Sequence, residues 1–442
     1  MKASRYNQFI SLPNGGRLLF NSASAALAEI YPEEFPLIEE LLSGKRDAAT
    51  DKERAILEAL LEGKYLIDEG EDEITAQRNW NRKRRSEPDT FVLTIAPTLA
   101  CNFRCEYCFE PQRPEIMKEA AADAVLKFSE RYIPNSKAIL LTWFGGEPTL
   151  AVPVIEKLQM GFQSLAARHN VTLHPASIIT NGYLLDRAMA RRLAAVGVTG
   201  AQITLDGPAE IHDRRRKLHN GNGTFDRIIQ NLKEIKDILK ILVRVNIDKD
   251  NFDAAFSLVE ILRREEILDS VFLYFSHVNN STAVCADMND RCLSTEEFAH
   301  RQVELYSRLV ERGFYQIEYP SLAPGGHCGA DTEASFVVVP NGDLFKCWEE
   351  VGMDSRYAVG NVFREEIHPH ERANLKRYLD WDPFESGECA ACHVLPLCMG
   401  GCPHHRKPSG NGNTLTACTS WKFNLDDMMR LRYQCDLMKG GE

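Results

Sequence analysis

The sequence predicts an α/β protein built on a partial (β/α)6 TIM-like barrel, with a small winged-helix-like unit before it and a cysteine-rich segment after it. Three observations carry this. From Phe91 onward, short apolar runs alternate with longer amphipathic segments, the rhythm of a parallel sheet covered by helices. Beyond about residue 320 the rhythm gives way to Gly and Pro turns and seven cysteines, ahead of a final helical pattern from Lys422 to Met438. Before Phe91 the chain has strand and helix signals of its own, and 442 residues exceed what one core usually organises. The expected units are residues 1–88, 89–318 and 319–442.

The N-terminal unit opens with an apolar segment from Tyr6 to Leu12, a Pro13-Asn14-Gly15-Gly16 turn, and Leu18 to Phe20, which together signal a hairpin. Leu37, Ile38, Leu41 and Leu42, then Ile56, Leu57, Leu60 and Leu61, recur at helical spacing, and Tyr65 to Ile67 is a candidate closing strand. Asn79 to Asp89, polar and basic with Pro88 near its end, reads as a linker, and its Arg82-Lys83-Arg84-Arg85 run as a solvated face. Barrel strands are expected at Phe91–Ile95, Ala138–Trp143, Ser177–Thr180, Ala201–Leu205, Ile241–Ile247 and Val271–Phe275. Helices are expected near 117–132, 152–167, 184–195, 225–239, 252–265 and 295–312. Chemistry in such a barrel sits on the loops after the strand C-termini.

A net charge of −11 argues against a broad grip on nucleic acid. There is no apolar stretch of bilayer length, and the start MKASRYNQFI has no apolar signal core, so neither a membrane span nor export is expected and the chain reads as cytoplasmic. Thirteen cysteines, an odd count with tight C-x2-C spacings, favour metal or cluster ligation over disulfides.

Cys101, Cys105 and Cys108 follow the first barrel strand on one tight loop. Thiolates suit iron-sulfur clusters, and three ligands leave one iron of a four-iron cluster free. A zinc site using Cys105 and Cys108 is the structural alternative and needs a further ligand nearby. The C-x3-C-x2-C spacing, with Tyr107 before the last cysteine, resembles the radical S-adenosylmethionine (SAM) superfamily. That resemblance implies a [4Fe–4S] cluster whose free iron chelates SAM and whose electron releases a 5′-deoxyadenosyl radical. It also implies SAM contacts at Gly145-Gly146-Glu147-Pro148, with Glu147 accepting from the amino group, and ribose or substrate contacts at Thr180, Asn181 and Asp206. In the His212-Asp213-Arg214-Arg215-Arg216 stretch, Arg216 meets the cosubstrate carboxylate or buttresses the site, or else belongs to a surface helix start.

The distal array runs Cys328-x13-Gly342-x4-Cys347, then Cys389-x2-Cys392-x5-Cys398-x3-Cys402, then Cys418. Structural zincs are again the alternative. The whole array resembles the SPASM domain, which implies two auxiliary [4Fe–4S] clusters and so three in all. By motif position Cys389, Cys392, Cys398 and Cys418 hold the outer one, and Cys328, Cys347 and Cys402 the inner one, which lacks a fourth cysteine. Cys285, Cys292, His327, His404 and His405 are candidates to complete it, the histidines also having surface or packing roles; an open iron able to bind a substrate thiolate is the other option. Cys435 reads as an unmodified thiol.

The resemblance extends to SPASM-bearing peptide maturases, which implies a ribosomally made precursor peptide whose leader is held by the N-terminal unit, and a flavodoxin- or ferredoxin-type electron donor. An intramolecular thioether is the expected product, with a carbon-carbon cross-link as rival. Formylglycine formation, as in sulfatase maturases, is a second class. It is disfavoured by the roughly 90 residues before the barrel and its triad and by Trp348 after Cys347, where those enzymes place Asp. A non-catalytic electron carrier is a third, opposed by the intact cysteine triad and GGEP. No catalytic acid or base is evident.

Overall fold

The six expected barrel strands lie side by side in chain order and all parallel: Thr90–Ile95, Ala138–Trp143, Ala176–Thr180, Val198–Thr204, Lys240–Ile247 and Val271–His277. The computed structural model describes residues 1–278, 290–322, 328–406 and 417–440. Phe91, Leu93, Ile95, Ile139, Leu141 and Trp143 are wholly buried, because the helices between strands cover the sheet. Those helices are Glu119–Ser129, Val152–His169, Arg187–Ala195, Phe225–Ile235 and Ala254–Arg264, with Thr295–Val310 after the sixth strand. Phe225, Ile228, Ile229, Leu232 and Ile235 show why: at i, i+3, i+4, i+7 and i+10 they form one buried stripe.

The distal segment does not leave this sheet. Ser335–Val338 pairs in parallel with Thr90–Ile95, and Asp343–Phe345 and Gly360–Asn361 continue it antiparallel. The cysteine-rich segment is therefore grafted onto the open side of the barrel, beside the first strand.

In the N-terminal unit, Asn7–Ser11, Arg17–Asn21 and Ala26–Ile30 form an antiparallel sheet, and Leu66–Ile67 closes back on Lys2–Ala3. Alternation sends the sheet's side chains to two different cores. Leu19 and Ile30 pack on Ile38, Leu41 and Leu42 of the helix Phe35–Leu42 and on Leu60 of Asp51–Glu62. On the opposite face, Ile10, Leu18 and Phe20 pack on Val394 and Leu397 of the distal segment and on Leu425 and Met429 of the C-terminal helix Trp421–Gly440.

The stretch read as a linker is the second half of a helix, Glu73–Ser86. Its basic run is a solvated face only in part: Arg82 and Lys83 are exposed, while Arg84 and Arg85 turn inward. Arg84 forms an ion pair with Asp331 at 3.1 Å with both side chains buried. Arg85 is buried and donates to the carbonyls of Asp331, Tyr378, Leu379 and Trp381 at 2.6–3.0 Å. The helix thus joins the first unit to the last. Replacing Arg85 by Ala strands four buried carbonyls, and a loss of about 3 kcal/mol in chemical unfolding is expected. The exposed neighbour change Arg82→Ala should cost about 0.5 kcal/mol or less. Equal effects would show that the buried arginine is not a clamp.

Candidate functional site

The cysteine loop is held from three sides by neighbouring loops. Phe103–Cys105 pairs antiparallel with Arg216–Leu218, which sets Arg216 opposite Cys105. His219 Nε2 lies 3.0 Å from the Cys101 carbonyl. Thr98 Oγ1 donates to the Glu115 carbonyl at 2.6 Å and closes the loop's base. Cys101, Cys105 and Cys108 are half-buried on it. Burial pushes all three thiols up, Cys108 to about 12, with Glu147 adding to the effect at Cys101. Cluster binding must therefore displace their protons, as iron does at thiol ligands.

The glycine pair was expected to let the backbone approach a ligand. What crowds it is the cysteine loop itself. Gly145 has φ +107, and a Cβ there would stand 2.6 Å from the Thr98 carbonyl oxygen; one on Gly146 would stand 2.3 Å from that of Ala100. The contact is bonded as well as close, Gly146 N donating to Thr98 O at 3.1 Å and Glu147 N to Ala100 O at 2.8 Å. Only glycine permits this approach.

Glu147 is wholly buried. Its Oε1 accepts from the Thr149 amide (3.0 Å), the Thr149 hydroxyl (2.6 Å) and the Thr180 hydroxyl (2.7 Å), and its Oε2 from the Asn181 amide at 2.8 Å. Burial raises its pKa while these four donors oppose the rise. Asn181 continues toward the triad, its Nδ2 donating to Asn102 Oδ1 at 2.8 Å and lying 3.9 Å from Cys101 Sγ. Pro148 begins a buried 3-10 turn directly after Glu147. Gly145, Gly146, Glu147, Pro148, Thr180 and Asn181 thus assemble against the cysteine loop.

On the far side Tyr107 is the organising group. Its hydroxyl donates to Asp206 Oδ2 at 2.6 Å and accepts from Arg216 Nη1 at 2.7 Å and Asn246 Nδ2 at 3.1 Å. Asp206, expected as a ribose or substrate contact, is wholly buried and is occupied by Tyr107 and by Arg215 Nε at 3.1 Å. Arg216 is buried at the start of a strand, which excludes the surface-helix alternative. The sequence reading missed Arg215, which lies between Asp206 and Asp248 (2.7 Å) with all three side chains fully buried. It also missed Arg291, which joins Asp248 to Glu106. The signal for Arg215 was present in the arginine run; that for Asp248, in the acidic loop after the fifth strand, was not. Glu110 was missed too: it is buried, its Oε2 has no hydrogen-bond partner, and burial raises its pKa to about 8.

The distal cysteines fall into two groups. Cys389, Cys392, Cys398 and Cys418 line one pocket together with Lys422. Burial raises Cys398 to about 11, and the other three thiols of the pocket add to it. Cys328 and Cys347 each feel Cys402, and burial raises both. Beside Cys402 stand His405 and His404, whose Nε2 atoms lie 3.7 and 3.3 Å from Glu349 Oε2. Hydrogen bonding between His405 and Cys402 lowers the thiol and, with Glu349, raises the imidazole to about 10. These histidines are therefore largely buried neighbours of the inner group. Cys292 packs near Tyr107, Phe109 and Val278. Cys285 and His327 lie outside the described residues. Cys435 is buried in the main core. Among the described residues no three His, Cys, Asp or Glu converge on the position of a single ion. Three thiols on one loop and four around one pocket suit [4Fe–4S] ligation chemically.

Residues 95–265 match the model of the Radical SAM superfamily. The chain is 24% identical over 336 residues to the serine-type anaerobic sulfatase-maturating enzyme of Klebsiella aerogenes, covering 71% of this chain and 79% of that one. It is 25% identical over 332 residues to the mycofactocin maturase MftC of Mycolicibacterium smegmatis, covering 70% and 77%. In fold it is similar to anSMEcpe with bound AdoMet and a Cp18Cys peptide (TM-score 0.61, 18% identity, 80% of this chain and 99% of that one). It is also similar to Streptococcus suis SuiB bound to its precursor peptide SuiA (TM-score 0.50, 14% identity, 95% and 99%). The matched stretch starts at the end of the first barrel strand and runs through the fifth strand and its helix, so the loops that carry Cys101 to Asp248 all fall within it. This chain is an enzyme with a radical SAM domain over residues 95–265, a domain whose family implies a [4Fe–4S] cluster and S-adenosylmethionine.

Proposed function

We propose that this enzyme matures a ribosomally made precursor peptide by forming an intramolecular cross-link, with a thioether from a cysteine thiol as the leading product. The observation that carries the peptide reading is the N-terminal sheet. Its strand Ala26–Ile30 pairs on one side with Arg17–Asn21 and with no other strand among the described residues, which leaves an edge suited to an added peptide strand. Main-chain pairing at an edge gives affinity without demanding much side-chain sequence, which suits a leader held while its core is modified. The SuiB likeness, over 95% of this chain and with a precursor bound, supports the same reading.

When bound, the cluster and S-adenosylmethionine would supply a 5′-deoxyadenosyl radical that takes a hydrogen atom from a peptide carbon. Cys101, Cys105 and Cys108 would hold that cluster. The glycine pair, Glu147, Thr180, Asn181 and Arg216 would position the cosubstrate, with Tyr107, Asp206 and Arg215 fixing the loop from below. For a thioether the substrate loses two hydrogens overall. One leaves as an atom to the deoxyadenosyl carbon; the other leaves as a thiol proton and one electron. Two auxiliary [4Fe–4S] clusters, on Cys389, Cys392, Cys398 and Cys418 and on Cys328, Cys347 and Cys402, are the proposed electron acceptors, with a flavodoxin- or ferredoxin-type protein as external donor. A cytoplasmic setting accords with such reduced partners, and no helix among the described residues is long and apolar enough to cross a membrane.

Formylglycine formation is the second reading, favoured by the sulfatase-maturating relatives. Against it stands Trp348. Where the resemblance puts an aspartate base, this indole packs tilted against Phe144, ring centroids 5.5 Å apart, and Phe144 stacks on Phe109 at 6.4 Å.

Three outcomes are expected. Mass spectrometry of the precursor after co-expression should show the loss of two hydrogens with cyclisation; an aldehyde trapped by hydrazide would instead establish the second reading. Replacing Cys101, Cys105 and Cys108 together by Ala should abolish 5′-deoxyadenosine formation while about eight of about twelve irons remain after anaerobic reconstitution. A parent enzyme with about four irons would remove the auxiliary clusters from the proposal. A leader peptide N-methylated at alternate amides should bind about tenfold or more weakly than the unmodified peptide, since each lost main-chain bond costs about 1 kcal/mol. Undiminished binding would rule out edge pairing.

A further inference from the structure

The N-terminal unit does more than offer an edge. Its sheet presses one face onto the loop that carries the outer cysteine group, and the contact is built from both polar and apolar groups. Arg5 Nη2 donates to the Ala390 carbonyl at 2.9 Å, between Cys389 and Cys392. Ser22 Oγ donates to the carbonyl of His393, the residue after Cys392. Ile10, Leu18 and Phe20 pack on Val394 and Leu397, with Cys392 and Cys398 partly buried against the same cluster. The C-terminal helix closes the arrangement from behind: Asp426 accepts from Gln8, Arg430 Nε donates to the Ser11 carbonyl at 2.9 Å, and Tyr433 donates to Glu29 at 2.5 Å.

The loop so gripped has little structure of its own. Between Cys389 and Cys402 it consists of two four-residue helical turns, Gly387–Ala390 and Leu395–Cys398, followed by Met399, Gly400 and Gly401 with positive φ. A segment of this kind depends on its metal and its neighbours to fix thiol positions. Tyr6 lies in the same contact, 1% exposed, with Arg5 over its ring and no hydrogen-bond partner for its hydroxyl among the described residues. Burial pushes its pKa up to about 12, and Cys392 is among the smaller contributors.

We infer that the N-terminal sheet is a structural wall of the outer auxiliary site, and that Arg5 and Ser22 hold the Cys389–Cys398 loop in its ligating conformation. The sheet that presents a peptide edge at Ala26–Ile30 is then the same sheet that shapes an iron-sulfur site two strands away. This rests on the reading of Cys389, Cys392, Cys398 and Cys418 as cluster ligands and is independent of the leader-binding role.

The test uses full-length enzyme, anaerobically reconstituted, in the Cys101, Cys105, Cys108→Ala background, so that only auxiliary iron is counted. Iron release to a ferrous chelator is followed for the parent, for Arg5→Ala with Ser22→Ala, and for Arg46→Ala as an exposed change elsewhere in the same unit. The double variant should release about four irons at least about fivefold faster than the parent, with the other four and the thermal midpoint unchanged. Adding Cys418→Ala should remove that fast phase. Release at the parental rate, or acceleration of all the iron together, would overturn the inference. A parent with no auxiliary iron would instead defeat the cluster reading, and a failure of leader peptide to bind would defeat only the leader role.

Discussion

One buried carboxylate ties the barrel mouth together. Glu147 reaches the loop after the third strand through Thr180 and Asn181, while its own backbone amide and that of Gly146 are bonded to the cysteine loop after the first strand. Three βα loops are therefore cross-linked around one side chain that solvent does not reach. A buried carboxylate is costly unless its lone pairs are satisfied, and four donors satisfy this one. The cost has a structural return: the turn that Glu147 anchors is bonded to the cysteine loop, and any shift of that loop must break backbone bonds at Thr98 and Ala100. Three thiols proposed to hold one cluster need that rigidity.

The same logic governs the opposite side through a charge network. Arg215 between Asp206 and Asp248 is an ion triad without solvent, an arrangement that is expensive to assemble and more expensive to leave incomplete. Its value lies in geometry. Tyr107 sits between two of the triad's cysteines in sequence, and its hydroxyl is fixed by Asp206 and Arg216 from separate elements. The loop is thus pinned at Gly145 and Gly146 on one flank and at Tyr107 on the other. The glycines and acids that a motif description assigns to ligand contact are equally the groups that hold the loop still.

The barrel strands were legible because each is a local apolar run bounded by turns, and the six runs appear within a residue or a few of their expected limits. The failures share a cause: the deciding partner is far away in sequence. Ser335–Val338 carries no βα rhythm and becomes part of the main sheet only by pairing with Val92 to Ile95. Glu73–Ser86 shows no apolar stripe, since what it buries is Asn81 and Arg85, and a polar basic helix of that kind reads as linker until its carbonyl acceptors near Tyr378 are known. Asp206 was expected at the ligand from the resemblance of its segment; its carboxylate is occupied in the structure by Arg215 and by Tyr107, the latter from the cysteine loop 99 residues away. The cysteine groupings came from the resemblance to the SPASM array: spacing alone puts Cys402 on one loop with Cys389, Cys392 and Cys398, whereas in the structure Cys402 stands near Cys328 and Cys347.

These nonlocal contacts also change how the three expected units should be regarded. Arg78, Arg84 and Arg85 of the connecting helix bind Asp382, Asp331 and the carbonyls around Tyr378, the N-terminal sheet shares a core with Val394 and Leu397, and the distal strand Ser335–Val338 lies beside the first barrel strand. Each unit supplies something the next cannot form alone. The barrel gives the distal segment a strand to pair with, and the distal segment gives the N-terminal sheet an apolar floor. A peptide strand added at Ala26–Ile30 would extend a sheet already continuous, through Leu18 and Ile10, with the packing under Cys392 and Cys398. If that edge binds peptide and those thiols hold a cluster, as proposed, recognition and cluster geometry share one core, and excising the N-terminal unit would disturb both at once.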